Sequence, residues 1–202
     1  MPSPHRATSL FQLLRLSILL VTLGCTKTKM TSIKDPDAPA TPYKRILVVA
    51  AFSDLESRDR VENRFVKSLA SVGIDATGSM RVILPTRQYP THSDVRQAVE
   101  PSGADGILFL RVTEVTSQVE ALLTIANFTP AGWIVGSYTV ESSRMRSEVR
   151  LIDTQSGKTS WIGTARTESS RKWTMERMIT SLAGTTAEQL RDAELLVPKT
   201  AP

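Results

Sequence analysis

Residues 45–52 read RILVVAAF, an arginine followed by seven apolar side chains. A continuous apolar run of this kind is typical of a strand that is covered on both faces, as in a parallel sheet. Ser53 and Asp54 follow and can cap a helix, which we expect over about residues 55–72. Gly73 is the kind of residue that ends such a helix. The sequence therefore predicts a strand followed directly by a helix.

The next part of the chain repeats this order of strand and helix. A short strand is expected near residues 74–79, a short helix over residues 93–100, and another apolar strand over residues 105–112, which read DGILFLRV. Strands that alternate with helices pair in parallel and are joined by right-handed crossovers. The first half of the domain is therefore predicted to contain a parallel sheet.

The second half has a different pattern. Residues 139–152 and 159–168 are predicted strands on either side of a turn-rich segment, which indicates an antiparallel hairpin. A long helix is expected over about residues 172–196. Its predicted buried stripe consists of Met175, Met178, Ile179, Leu182, Thr186 and Leu190. The predicted fold class is α/β (α+β): a single domain over residues 44–197, with a mixed sheet whose first half is parallel and whose second half is an antiparallel hairpin, and with helices packed on it.

Alternation within the first hairpin strand separates apolar from charged residues. One face carries Met145, Val149 and Leu151, and the other carries Arg144, Arg146, Glu148 and Arg150. Trp161 follows the turn on a strand whose neighbours are apolar, so we expect it in the core. The arginine face is either a plain solvated surface or a site for an acidic partner or anionic lipid headgroups.

The amino terminus has the features of a secretory signal. Arg6 and Arg15 precede an apolar stretch, residues 16–24, and no acidic residue occurs before Asp35. As a helix this stretch would be only about 13 Å long, which is too short to span a hydrocarbon core of about 30 Å. Residues 1–24 are therefore predicted to be a signal peptide that is removed from the mature protein.

Residues 21–25, VTLGC, resemble the lipobox of bacterial lipoproteins, with Thr22 where that pattern usually has an aliphatic residue. The resemblance implies cleavage before Cys25, a thioether-linked lipid on its sulfur and acylation of its new amino group. Several acyl chains hold a protein stably on a membrane. By the sorting rule of such lipoproteins, Thr26 in place of aspartate implies the outer membrane, with the protein on its periplasmic side. The alternative is a free or buried thiol in an ordinary signal peptide.

Residues 26–43 read TKTKMTSIKDPDAPATPY and are dominated by lysine, threonine and proline. They show neither a helical nor a strand period, so we expect residues 25–43 to be a lipidated cysteine and a flexible tether. Such a tether would span about 23 Å on average and hold the domain away from the bilayer. Residues 198–202 are expected to be a short tail.

The charge of the chain argues against one large class of partner. Removal of Arg6 and Arg15 with the signal leaves 23 basic and 20 acidic residues, a net charge of +3. This charge is mild, whereas nucleic-acid binding needs a concentrated basic face. Cys25 is the only cysteine in the chain, so the domain must be held together by packing without a disulfide.

Several segments have a familiar pattern: the ILVV strand at residues 46–49, a helix with Arg60, Glu62 and Phe65, and then residues 73–76 (GIDA), 103–108 (GADGIL) and 151–161 (LIDTQSGKTSW). Together they resemble bacterial envelope lipoproteins whose α/β domain is similar to the amino-terminal domain of TolB, to the penicillin-binding-protein activators and to the curli-secretion lipoprotein. The resemblance covers about residues 44–196 and rests on packing and turns. It implies an envelope accessory protein that contacts other proteins, with no enzyme activity and no catalytic motif.

The residues themselves contain no set of catalytic or metal-binding groups. His92 is the only histidine left after processing, and it lies in a polar, proline-flanked loop. Gly103 and Gly106 are interpreted as a turn into a strand rather than a phosphate loop, and Ser53 and Asp54 as helix caps. We therefore predict a protein that is not an enzyme, with no cofactor, metal, small-molecule substrate or nucleic-acid partner.

The best candidate for a contact site is residues 122–136, LLTIANFTPAGWIVG, which carry two aromatic residues around Pro130. This segment either packs on the core or is an exposed apolar loop whose aromatic residues bind a partner. The arginine face is the second candidate. The candidate partner contacts are therefore Phe128, Trp133, Ile134, Arg144, Arg146 and Arg150.

These features predict a non-enzymatic outer-membrane lipoprotein that faces the periplasm and binds or supports an envelope protein complex of unknown identity. The alternative is a subunit of a secretion channel in which residues 119–147 insert into the membrane as a hairpin. A membrane-spanning strand needs about 9–11 residues that are apolar on one face. The poor alternation of residues 119–136 and the presence of Pro130 therefore count against the alternative.

Overall fold

The structure is a computed structural model that describes residues 26–39, 41–52, 54–83, 92–129, 132–169 and 175–197. The strands of these residues are β1 (Thr26–Lys34), β2 (Arg45–Ala50), β3 (Asp75–Gly78), β4 (Gly106–Thr129), β5 (Gly132–Asp153) and β6 (Thr159–Ser169). Their α-helices are α1 (Leu55–Ser71), α2 (His92–Val99) and α3 (Met175–Asp192), and short 3₁₀ helices lie at Ser79–Arg81 and Glu100–Ser102.

The six strands form one mixed sheet in the order β1-β6-β5-β4-β2-β3. Strand β2 pairs in parallel with β3 on one side and with β4 on the other. Strands β4, β5, β6 and β1 follow as an antiparallel series. The predicted fold class, a mixed sheet with a parallel first half and an antiparallel hairpin, is confirmed.

Helix α1 begins and ends at residues of the predicted kind. The carboxylate of Asp54 accepts the backbone N–H of Ser57 at 3.0 Å and caps the helix. At the other end Gly73 has a φ of +82°, a left-handed conformation that favours glycine and turns the chain out of the helix. The buried side of the helix consists of Val61, Glu62, Phe65 and Leu69.

The main core lies on one face of the sheet, which we call the inner face. Helix α1 packs there over β2 and β3, and helix α3 packs over β1 and β6. Trp161 is buried in this core with 1% of its surface exposed, opposite Leu151 of β5, as predicted. Met175 is 40% exposed, so its predicted burial is wrong. Met175 is the first residue of α3, and the buried residues of this helix begin at Met178.

The predicted tether is wrong for residues 26–34, because they form β1. This strand pairs with β6 along its whole length, from Thr26 opposite Ser169 to Lys34 opposite Trp161. Its inward residues are half-buried, and the Oγ1 of Thr28 lies 2.8 Å from the Oγ of Ser181 on α3. The folded domain therefore begins at residue 26, eighteen positions before the predicted boundary at residue 44.

The end of α3 also differs from the prediction. The helix stops at Asp192, and the chain then runs extended beside Tyr43. The carbonyl of Leu195 accepts the N–H of Tyr43 at 2.8 Å, and the N–H of Val197 donates to the carbonyl of Tyr43 at 2.9 Å. These bonds tie the carboxyl-terminal segment to the residue that leads into β2.

Candidate interaction site

The carboxyl ends of the parallel strands are where open α/β sheets usually bind ligands, and here that place is filled by Glu62. This side chain is 1% exposed. Its carboxylate accepts the N–H of Ala50 at 3.1 Å, the Nε–H of Arg58 at 3.0 Å and the hydroxyl of Ser79 at 2.6 Å. The three bonds are to Oε1, and Oε2 accepts the N–H of Met80 at 3.1 Å. The carboxylate therefore joins α1 to the ends of β2 and β3, and we assign it a structural role.

The sequence pattern includes Glu62 among the residues of the family resemblance, but it assigns this residue no role. The available signal was its position between Val61 and Phe65, on the apolar side of α1. A carboxylate on a buried helix face needs internal donors. The donors come from three separate parts of the chain, and the sequence gives no sign that the fold brings them together.

The other polar candidates have structural roles or lie outside the described part. Asp54 is a helix cap, and the hydrogen bonds from Ser57 hold the pKa of its carboxyl below the usual value. Gly103 has a φ of +63° in the turn that leads to β4, as the turn interpretation predicts. Ser53 and the side chain of His92 lie outside the described residues. Within the described part of the chain, no three or more His, Cys, Asp and Glu side chains are grouped as metal ligands.

A further polar group lies at the end of the sheet where β2 begins and β5 ends. The hydroxyls of Tyr43 and Ser160 are 2.5 Å apart and buried, and this burial raises the pKa of Tyr43. The carboxylate of Asp105 accepts the N–H of Lys44 at 2.8 Å, and that of Asp153 accepts the N–H of Ser156 at 2.6 Å. Each of these groups fixes a turn or a strand end, so we assign them structural roles.

The distal half of the β4–β5 hairpin extends beyond the strands that flank it in the sheet. Strand β2 pairs with β4 only as far as Leu110, and β6 pairs with β5 only from Ser143. Beyond these points the two long strands continue, paired with each other up to Thr129 opposite Gly132. We call residues 118–142 the ribbon. Among the described residues, no other strand pairs with it.

The predicted irregular loop at residues 122–136 is therefore wrong, because most of it belongs to two paired strands. Pro130, which suggested a break, falls between the last residue of β4 and the first residue of β5. The turn of a hairpin is a place that tolerates proline, since no ladder hydrogen bond is needed there. Register shifts between Val112 and Glu114 and between Val119 and Ala121 explain why simple alternation fails across this region.

The register places the predicted contact residues at the tip of the ribbon. Phe128 pairs with Trp133, and Asn127 pairs with Ile134. Three of the predicted contact residues therefore belong to the two residue pairs that precede the last pair of the two strands. No Asp, Glu, Lys or Arg occurs between Glu120 and Glu141. The paired strands of the distal ribbon thus carry aromatic and aliphatic residues and no charged residue between these two glutamates.

The ribbon projects from the end of the sheet at which β1 begins. Thr26 lies opposite Ser169, Ser169 lies opposite Ser143, and Ser143 lies opposite Ser117, the last residue of β4 before the ribbon. These four residues form one row across the sheet. The start of β1 and the base of the ribbon are therefore at the same end, which we call the anchor end because Cys25 is bonded to Thr26. Cys25 itself lies outside the described residues.

The second predicted contact site, the arginine face, is a ladder of ion pairs on the outer face of the sheet. Glu168 lies 3.5 Å from Arg144 and 2.5 Å from Arg166. Arg146 lies 3.4 Å from Glu114, and Arg150 lies 2.8 Å from Glu148. Arg144, Arg146 and Arg150 therefore share a face as predicted, opposite to the buried Met145, Val149 and Leu151. Exposed pairs of this kind contribute little to stability.

Comparisons with known proteins add information about fold. No protein-family model matches the sequence, and no curated protein matches it. No described helix is long and apolar enough to cross a membrane. The chain is similar to PelC from Paraburkholderia phytofirmans, solved as a dodecamer, with 15% identity, a TM-score of 0.45 and coverage of 82% of this chain and 96% of that one.

Two more solved structures are similar at the same general level. For the lipoprotein GNA1162 from Neisseria meningitidis the identity is 16%, the TM-score is 0.43, and 73% of this chain and 98% of that one are covered. For the DUF4136 family protein BT2437 from Bacteroides thetaiotaomicron the values are 9%, 0.35, 84% and 98%. The finer resemblance to TolB and the penicillin-binding-protein activators stays a prediction.

Proposed function

We propose that the protein is a lipid-anchored, non-enzymatic envelope protein that joins a membrane-associated protein complex through the tip of its ribbon. The observation that carries this proposal is that the ribbon projects from the anchor end of the sheet. Lipidation of Cys25 remains the prediction made from residues 21–25, and the proposal depends on it. The outer membrane and the periplasmic side are part of the same proposal, because they follow from Thr26 at the position after the cysteine.

The composition of the ribbon is the first support for a partner. A two-stranded hairpin is marginally stable by itself in water. In the part of the chain that the structure describes, no third strand pairs with this one, and residues 121–140 contain no charged residue. Apolar residues of such a hairpin are stabilised when another surface covers them. Aromatic residues such as Phe128 and Trp133 contribute large contact areas at little cost in side-chain entropy. The ribbon therefore has the composition of a contact segment.

The second support for the proposal is that β1 begins at the residue that follows Cys25. Because β1 begins at Thr26, a lipid on Cys25 would hold the anchor end of the sheet directly at the membrane surface. The ribbon leaves the sheet from the same row of residues. Its partner is therefore expected in the membrane or at its surface, rather than in the aqueous space beyond the domain.

The alternative, a secretion-channel subunit with a membrane-inserting hairpin, is favoured by one observation. The uncharged parts of β4 and β5, residues 121–129 and 132–140, would each extend about 30 Å at about 3.4 Å per residue. This length matches the thickness of a hydrocarbon core. A lone hairpin has unpaired backbone groups on both edges, which lipid cannot satisfy. Insertion would therefore require strands from other subunits beside it.

Cysteine cross-linking in intact envelopes tests the proposal. Thioether formation consumes the thiol of Cys25, so an introduced cysteine is the only free thiol. We compare Thr129→Cys at the tip of the ribbon with Gln155→Cys in the turn at the opposite end of the sheet, using a thiol-to-amine reagent. We expect a discrete adduct from position 129 alone, and we expect Trp133→Ser to weaken it.

The mass of the adduct distinguishes the two functions. A partner of different mass supports membership of a complex, whereas multiples of the chain's own mass support the channel subunit. Cys25→Ser in the same background should abolish the adduct, because the domain is no longer held at the membrane. Equal adducts from positions 129 and 155, or none from position 129, would contradict the proposal.

A further inference from the structure

We infer that basic residues at the anchor end of the outer face bind the anionic headgroups of the membrane that holds the protein. The inference rests on the lipid anchor in the proposed function but is independent of the ribbon's partner. The residues concerned are Lys27, Lys29, Arg144, Arg146 and Arg166, which we call the basic cluster. They come from three neighbouring strands, β1, β6 and β5.

The register brings these residues into two adjacent outward rows. Lys27 lies opposite Glu168, which lies opposite Arg144. Lys29 lies opposite Arg166, which lies opposite Arg146. Both rows cross β1 within its first four residues, at Lys27 and Lys29. No sequence pattern could have shown this, because β1 was not predicted as a strand.

The charge of these two rows is clearly positive. Five basic side chains face two carboxylates, those of Glu168 and Glu114, which lies opposite Arg146. The two carboxylates are paired with arginines, so they reduce the positive charge without cancelling it. Lys27 and Lys29 are exposed at the edge of the sheet. This excess of three positive charges equals the net charge of the whole mature chain, but it is concentrated in two adjacent rows.

The groove at the opposite end of the sheet is mainly acidic. Its lining includes Asp35, Asp37, Asp105 and Asp153 together with Lys158, and Arg45 beside it is paired with Asp75. An anionic surface attracts the anchor end and repels the far end, so it would orient the domain with the ribbon toward the lipid. Basic residues near an anionic membrane each contribute attraction equivalent to about a fivefold change in equilibrium constant.

The distances suit lipid headgroups. At about 3.3 Å per residue, Lys27 is about 7 Å and Lys29 about 13 Å along the chain from Cys25. The headgroup layer adds about 5–7 Å on each side of the hydrocarbon core. Long basic side chains extend their charged ends toward such a layer. The cluster is thus within reach of the headgroups when the lipid on Cys25 is in the bilayer.

The test uses the lipidated protein reconstituted in vesicles of phosphatidylcholine, with or without phosphatidylglycerol. A fluorophore on Thr164→Cys, an exposed outer-face position outside the cluster, reports its distance from a quencher attached to lipid headgroups. The charge variant is Lys27→Gln with Lys29→Gln. The matched control is Lys67→Gln with Lys158→Gln, which removes the same charge from exposed positions on α1 and at the far end.

We expect quenching to increase when phosphatidylglycerol is present and to fall in high salt. The charge variant should lower the ratio of docked to undocked protein about thirtyfold, and the control should behave like the unaltered protein. The inference would be overturned if the unaltered protein were quenched equally with and without phosphatidylglycerol. It would also be overturned if the charge variant were quenched as strongly as the unaltered protein. A third outcome is that the charge variant is quenched normally in vesicles but loses the envelope adduct formed by Thr129→Cys. The basic cluster would then bind an acidic protein, and the inference about lipid would be wrong. If the vesicle experiment contradicts the inference but the adduct of Thr129→Cys still forms, the proposed function is unaffected.

Discussion

The two halves of the β4–β5 hairpin are continuous in backbone and opposite in surroundings. The proximal half is flanked by β2 and β6, has its inner residues under α1 and α3, and carries paired charges outside. The distal half, the ribbon, pairs only with itself among the described residues and has no charge in residues 121–140. One half therefore has its apolar residues covered by helices of the same chain, and the other half is the segment for which we propose a partner. Stability is expected to depend on the first half, and contact with a partner on the second.

The largest difference in stability between the two regions is expected when strand residues are removed from each. Deleting residues 26–34 takes away β1, uncovers the edge of β6 and removes Met30 from the core, so we expect a loss of several kcal/mol out of the ~5–15 kcal/mol that hold a domain folded. Replacing residues 119–141 by a two-residue Asn-Gly turn, which joins Gln118 to its partner Ser142 and so keeps the register, should leave the melting temperature within a few degrees. Thermal unfolding of both variants measures the difference. A stable variant without residues 26–34 would restore the tether interpretation.

Two tryptophans give the next comparison. Trp161→Ala empties a fully buried site, and such changes cost about 3–5 kcal/mol. Trp133→Ala removes the same side chain from the ribbon, where we expect a change below about 1 kcal/mol. Denaturant unfolding measures both free energies. A large loss for Trp133→Ala would show that the ribbon packs on the domain and is no free contact segment.

Two glycines give a smaller effect of opposite sign. A Cβ at position 163 would lie 2.5 Å from an atom of the Trp161 ring, so Gly163→Ala should destabilise the domain by about 1–3 kcal/mol through overpacking. A Cβ at Gly184 in α3 meets nothing within 4 Å. Gly184→Ala should therefore stabilise the domain by about 0.5–1 kcal/mol, since alanine is the better helix former. Equal unfolding free energies for the two variants would mean that the indole does not lie over Gly163.

The smallest effect is expected on the outer face. Glu168→Gln removes the carboxylate that pairs with Arg144 and Arg166, but these groups are about half exposed. Exposed ion pairs contribute about 0–1 kcal/mol, so the unfolding free energy should change by less than that. A loss of more than about 2 kcal/mol would show that the ladder holds the proximal sheet together.

Most of the fold could be predicted because its apolar residues recur with a clear period. The runs at residues 45–52 and 105–112 and the stripe of α3 identified the core elements, and alternation placed Met145 and Arg144 on opposite faces. Strand β1 was missed because its inward positions are Thr28, Met30 and Ser32, which resemble a polar linker. In the fold, Thr28 and Ser32 form hydrogen bonds with side chains of α3, and Met30 packs against the core.

The candidate site was predicted less well than the fold. The sequence identified Phe128, Trp133 and Ile134 as contact candidates, but it predicted a loop where the structure has a ribbon. Shifts in register hid the period of the strands, and Pro130 was taken as a break rather than a turn. The position of the ribbon relative to Cys25 depends on pairing between residues more than one hundred positions apart, which no local pattern contains.

The direct connection of Cys25 to β1 has a mechanical consequence. If the cysteine carries the lipid, a pull between membrane and domain acts lengthwise along β1, parallel to β6. The hydrogen bonds along the nine paired positions of β1 and β6 then share the load in shear instead of opening one after another. A protein attached in this way transmits tension from the bilayer to its core with little extension of the linkage. For a partner bound to the ribbon, movement of the membrane would then be movement of the whole domain.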